Sequence, residues 1–136
     1  MANRPDEFIE YADENLDTLV KMFESKVKEN PRADFLAVRD NSKEGRPYVW
    51  RTRQEVWDRS NSLSRGMQSL GLISNQTFDG QAWKFVGVMA KNCAVWLETM
   101  LACMYNSVTI PAFYDTLGLE GCRFILEQTQ LTTIAL

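Results

Sequence analysis

The sequence predicts an α/β fold: an N-terminal helix, a β-hairpin and a second helix, followed by a parallel β-α-β-α-β unit. Two apolar runs, Phe85-Val86-Gly87-Val88-Met89-Ala90 and Val108-Thr109-Ile110-Pro111-Ala112-Phe113, flank a helix-length apolar segment, and a third run, Leu131 to Leu136, ends the chain. Apolar runs alternating with helical segments are the pattern of parallel strands covered on both faces. Ligands of such a unit sit at the carboxyl ends of its strands, so Lys91-Asn92 and Tyr114-Asp115-Thr116 are expected on one edge of the sheet.

Taken in order, residues 1–15 read as a poorly structured lead-in to one domain portion spanning 16–136. Leu16, Leu19, Val20, Phe23 and Val27 then recur at helical spacing, with Asp17 or Thr18 as N-cap and Asn30-Pro31 as the stop. Alternation in Phe35 to Arg39 and in Tyr48 to Arg51 predicts two strands joined by the polar stretch Asp40 to Arg46. Thr52 and Glu55 have the spacing of a capping box, in which hydroxyl and carboxylate each satisfy an orphan backbone N–H. Val56, Ser60, Leu63, Met67 and Leu70 form the stripe of the helix that follows, and Gly71 suits its left-handed end. Residues 72–83 are read as a long loop.

Asn92 is placed to cap the next helix. Between Ala94 and Tyr105 only Glu98 and Thr99 are polar, so that helix must be covered on more than its sheet side, and the N-terminal helices are what the chain has for it. Leu119, Cys122, Ile125 and Leu126 predict a single inward face for the last helix, with Glu120, Arg123, Glu127 and Gln128 outward. An apolar strand at the end of a parallel sheet leaves an unpaired edge. The expectation is the front part of a larger domain, or a small one whose edge a partner chain covers.

Composition narrows the chemistry. Lys and Arg number 15 against 18 Asp and Glu, without a basic patch interleaved with aromatics, which argues against nucleic acid as a partner. There is no histidine, which removes the commonest general base and any Ser-His or Cys-His pair. Cys93, Cys103 and Cys122 share no CxxC spacing, so neither a disulfide framework nor a zinc site is supported, and free thiols in a reducing compartment are expected. Met1 to Leu16 lacks a signal or transit pattern and no apolar run reaches the roughly 18 residues of a spanning helix. An intracellular protein is expected, cytoplasmic or peripheral on an organelle membrane.

None of the glycines forms the G-x-G-x-x-G fingerprint or a P-loop. The turn Tyr114-Asp115-Thr116-Leu117-Gly118 leads into a helix N-terminus that could receive an anion, or is a strand-to-helix connection that Asp115 caps. Lys91 could neutralise a phosphate or simply be solvated. Trp50, Trp57, Trp83 and Trp96 read as core or partner-contact residues.

Lys84 to Asn92 followed by Trp96, the apolar helix, and Ile110-Pro111-Ala112-Phe113-Tyr114-Asp115-Thr116-Leu117-Gly118 resemble the N-terminal region of long-chain acyl-CoA synthetases, AMP-forming adenylate ligases. Thr18-Leu19 to Met22-Phe23 and Tyr48-Val49-Trp50 to Glu55-Val56 are similar to the same family's opening helix, hairpin and second helix. The resemblance implies the front part of the large N-terminal domain of an adenylate-forming enzyme. It implies a parent that uses ATP and Mg2+ to make a fatty acyl-adenylate, then transfers the acyl group to coenzyme A. In such ligases the turn matching Tyr114 to Gly118 lies near the opening that admits coenzyme A, which makes Tyr114, Asp115 and Thr116 its neighbours here.

The chain departs from the family at Asn92-Cys93-Ala94-Val95-Trp96, without the usual Arg-Pro-Glu, and in the longer stretch from Ile73 to Trp83. The family's phosphate loop, its downstream aromatic-Thr-Glu and Asp-Arg signatures and its mobile C-terminal lysine are not in this sequence, so this piece alone is expected to be inactive, with no catalytic residue and no metal ligand assigned. The alternatives are a short paralogue acting as a structural or regulatory subunit, and a coenzyme A or acyl-CoA binding module.

Overall fold

The computed structural model describes residue 13 and residues 15–136, so the lead-in expected over 1–15 lies almost wholly outside the described residues. Helix α1 (Leu19–Glu29) starts at Thr18, whose hydroxyl accepts from the Lys21 N–H, and turns Phe23 and Val27 inward. Strands β1 (Asp34–Arg39) and β2 (Tyr48–Thr52) pair antiparallel, with a register shift between Asp34 and Leu36. Helix α2 (Arg53–Ser69) opens on the predicted capping box, and the Thr52 amide and hydroxyl hold the Glu55 carboxyl below the usual glutamate pKa. Replacing Thr52 by Ala strands the Glu55 N–H and is expected to lower stability by about 1 kcal/mol in urea titration, whereas Thr52→Ser should hold the wild-type midpoint.

The other end of α2 is closed by a Schellman motif. The Leu72 N–H reaches the Met67 carbonyl at 2.9 Å and the Gly71 N–H the Gln68 carbonyl at 3.1 Å. Gly71 has φ of +65°, the left-handed conformation in which a Cβ would be strained.

The stretch 72–83, expected to be a loop, is instead mostly a tight hairpin. Strands β3 (Ser74–Phe78) and β4 (Gln81–Phe85) pair antiparallel around Asp79-Gly80. Both turn residues have positive φ, 51° and 76°, the two-residue geometry whose twist matches that of its strands. Its strands carry mostly polar side chains, so the apolar alternation that would reveal them is missing. The hairpin is fastened from outside: the Ser74 and Thr132 hydroxyls lie 2.7 Å apart, and the Gln76 amide donates to the Gln130 carbonyl at 2.9 Å.

The parallel unit is present with shorter strands than expected. Strand β5 (Gly87–Val88) pairs in parallel with β6 (Ile134–Ala135). On its other side the 108–113 segment makes isolated parallel bridges at Phe85↔Thr109 and Val88↔Ala112. Pro111 lies between those bridges with no N–H to give, which interrupts the ladder there. Even-numbered amides of Val86 and Val88 donate to Thr109 and Pro111, while those of Gly87 and Met89 donate to Thr133 and Ala135. The central strand therefore has the second run on one side and the third on the other.

Helices cover both faces, as buried parallel strands require. Helix α3 (Ala94–Tyr105) lies with α2 on one face, in a cluster of Met67, Val86, Ala102, Cys103 and Val108. A second cluster joins Phe23, Val27, Val56 and Leu101, so α1 and α2 supply the cover that the all-round apolar helix demands. Helix α4 (Gly118–Thr129) lies on the other face, where Phe85, Phe113 and Leu131 meet Leu117, Cys122 and Ile125.

The inward face of α4 is narrower than expected, because Leu119 and Leu126 are exposed. Leu126 is about 100° around the helix from Ile125, and Leu119 sits in the first turn, at the strand ends. Of the four tryptophans, Trp57 and Trp96 are half-buried, whereas Trp50 and Trp83 are exposed. Among the described residues no helix is long and apolar enough to cross a membrane.

Candidate functional site

The last ladder bonds of the central strand set the position of the site. Phe113 donates to the Val88 carbonyl at 2.8 Å and Met89 to the Ala135 carbonyl at 2.9 Å. Beyond them the chains diverge, leaving a cleft of about 540 Å³ lined by Met89, Ala90, Lys91, Asn92, Phe113, Tyr114 and Asp115. The strand-end juxtaposition expected from the sequence is thus present, and Phe113 beneath it is 3% exposed. Thr116 is exposed and does not line the cleft.

Two local expectations fail in ways that shape the cleft. Asn92 does not cap α3, because the N-cap is Cys93, which makes no side-chain capping bond. The Asn92 amide is therefore left at the cleft wall. Asp115 does not cap the following turn either: among the described residues its carboxylate makes no hydrogen bond, and the turn closes through the Leu117 N–H to the Tyr114 carbonyl at 3.0 Å. With Leu117 at its N-cap position, α4 begins without a side-chain cap.

The chemistry this arrangement offers is binding. One ammonium, one amide, one phenol and one carboxylate surround an apolar floor of Met89 and Phe113, with no second carboxylate to make an acid-base pair. No cysteine lines the cleft, and burial pushes the Cys103 thiol, which lies in the α2–α3 cluster, up to about 11. Among the described residues no group of three or more His, Cys, Asp or Glu could hold a metal ion.

Two buried polar sites escaped the sequence reading. Glu98 is 3% exposed on α3, and its Oε1 accepts from Arg51 Nη1 at 2.7 Å and Arg59 Nε at 2.8 Å. Asn106 is held by the Gln68 amide and donates to the Ser64 hydroxyl at 2.8 Å, while the Lys84 ammonium reaches its carbonyl at 3.2 Å. A lone glutamate inside an apolar helix was the available signal for the first, since a buried charge needs a partner. Nothing local announces the second.

Comparison with known proteins follows the same lines. The family model described as AMP-binding enzyme matches residues 23–135. Long-chain-fatty-acid–CoA ligase 5 of Mus musculus is 33% identical over 106 residues, covering 73% of this chain and 14% of that protein. Long chain acyl-CoA synthetase 2 of Arabidopsis thaliana is 27% identical over 122 residues, covering 88% of this chain and 17% of that protein. The chain therefore spans a small part, 14–17%, of the length of these curated relatives. Among solved structures, a fatty acid AMP ligase from Legionella pneumophila matches with a TM-score of 0.66 at 10% identity over 86% of this chain and 19% of that one. CmiS6 matches with a TM-score of 0.71 at 10% identity, over 94% of this chain and 28% of its own.

Proposed function

This chain belongs to the AMP-binding enzyme family, and from that premise we propose that it serves as the N-terminal part of a long-chain fatty acid–CoA ligase and is inactive alone. The observation that carries the reading is the match to long-chain ligases over most of this chain but only 14–17% of theirs. Activating a carboxylate with ATP and Mg2+ requires groups that grip the triphosphate and its metal. This sequence has no P-loop pattern, and among its described residues no group of three or more His, Cys, Asp or Glu could hold a metal ion, so no residue of this piece is assigned to ATP or Mg2+. Leu119 and Phe124 on α4, 82% and 63% exposed, also fit a piece whose apolar surface the rest of a ligase, or a partner chain, would cover.

Two measurements test this. The purified 136-residue chain, given ATP, Mg2+, palmitate and coenzyme A, should release no AMP and form no acyl-CoA. The protein isolated from its natural source should have an intact mass several times 15.6 kDa. Acyl-CoA formation by the short chain would overturn its inactivity. A native mass near 15.6 kDa would overturn the ligase-part reading in favour of a separate structural subunit.

The cleft suits the coenzyme A side of such a ligase, with Tyr114 and Asp115 in its wall and Thr116 just outside. Tyr114 offers a ring face for the adenine and Lys91 a charge for a phosphate. The Asp115 carboxylate opposes a polyanion. Calorimetric titration with coenzyme A should therefore show about tenfold weaker binding for Tyr114→Ala and Lys91→Ala, on the order of 1.4 kcal/mol. Asp115→Asn should bind more tightly. No heat with the wild-type chain would remove this assignment and leave the ligase-part reading standing.

A further inference from the structure

We draw no further inference here: the strongest candidate, the solvent-exposed aromatic face that Tyr48 and Trp50 make on the β1–β2 hairpin, has nothing in the structure to show what covers it, since the neighbouring Arg51, Arg53 and Lys43 are already engaged by Glu98, the Lys26 carbonyl and Asp40 and so select no partner by charge.

Discussion

Glu98→Ala should destabilise the chain by about 3 kcal/mol, the lower end of what removing one partner from a buried ion pair costs. The carboxylate binds strand β2 through Arg51 and helix α2 through Arg59 from its place on α3, so one side chain fastens three elements. Its loss leaves two guanidiniums facing each other without their shared acceptor. The cost stays at the lower end because the Arg51 and Arg59 side chains are 28% and 51% exposed, and water can solvate what the carboxylate no longer holds.

Most of the loss disappears when the charges are removed together. Glu98→Leu combined with Arg51→Met and Arg59→Met takes away every desolvated charge of the group, and is expected to fall within about 1 kcal/mol of the wild type or above it. Urea midpoints of the single, paired and triple variants give the coupling directly. Equal losses for the single and triple variants would show that packing around α3, and not the ion group, sets the stability there.

A comparable loss is expected from a much smaller change at Gly87. A Cβ there would lie 2.8 Å from Phe113 Cε2, 3.2 Å from Ile134 Cγ1 and 3.4 Å from Leu131 Cδ2. Phe113 is held in the buried cluster and Gly87 itself is tied to the Thr133 carbonyl at 2.9 Å, so neither side yields easily. Gly87→Ala should cost about 2 kcal/mol and Gly87→Val about 3 kcal/mol by overpacking. Phe113→Leu in the Gly87→Ala background frees the space beside the new methyl and should recover part of the loss. An unchanged denaturation midpoint for Gly87→Ala would mean that the sheet and α4 do not pack as closely as this contact requires.

The effect would reach the cleft, since Phe113 is both the crowded neighbour of Gly87 and part of the cleft wall. Pushing its ring aside shifts the segment that carries Tyr114. Gly87→Ala should therefore weaken any coenzyme A binding without touching a ligand-facing group.

What could be read along the chain was what periodicity and local chemistry encode. The Thr18 cap of α1, the Thr52–Glu55 box and the Gly71 stop are each decided within a few residues, by hydrogen bonds that local spacing alone makes available, whereas of the expected α1 stripe only Phe23 and Val27 are buried and Leu19 is exposed. The apolar runs at 85–90, 108–113 and 131–136 likewise announced the parallel unit, of which only the central strand is fully buried, and with it the strand-end position of Lys91 and Tyr114. The Asp79-Gly80 turn was legible in principle, as its two residues tolerate positive φ, but the polar strands beside it hid the hairpin.

Tertiary structure decided the rest, because the groups involved are far apart in sequence and carry no local periodicity. Ser74 meets Thr132, and Glu98 meets Arg51 and Arg59, only once the sheet and helices are in place. Strand lengths were decided in the same way: Pro111 breaks the ladder on one side, and β3 takes up the neighbouring edge on the other. Which apolar side chains of α4 turn inward depended on where the sheet beneath it ends. Apart from the β3–β4 hairpin, the sequence by itself determined the order and kind of the elements, through short-range hydrogen bonding and apolar spacing. Only the assembled fold determined which polar groups are buried together, because the free energy of burying a charge depends on a partner that no local pattern names.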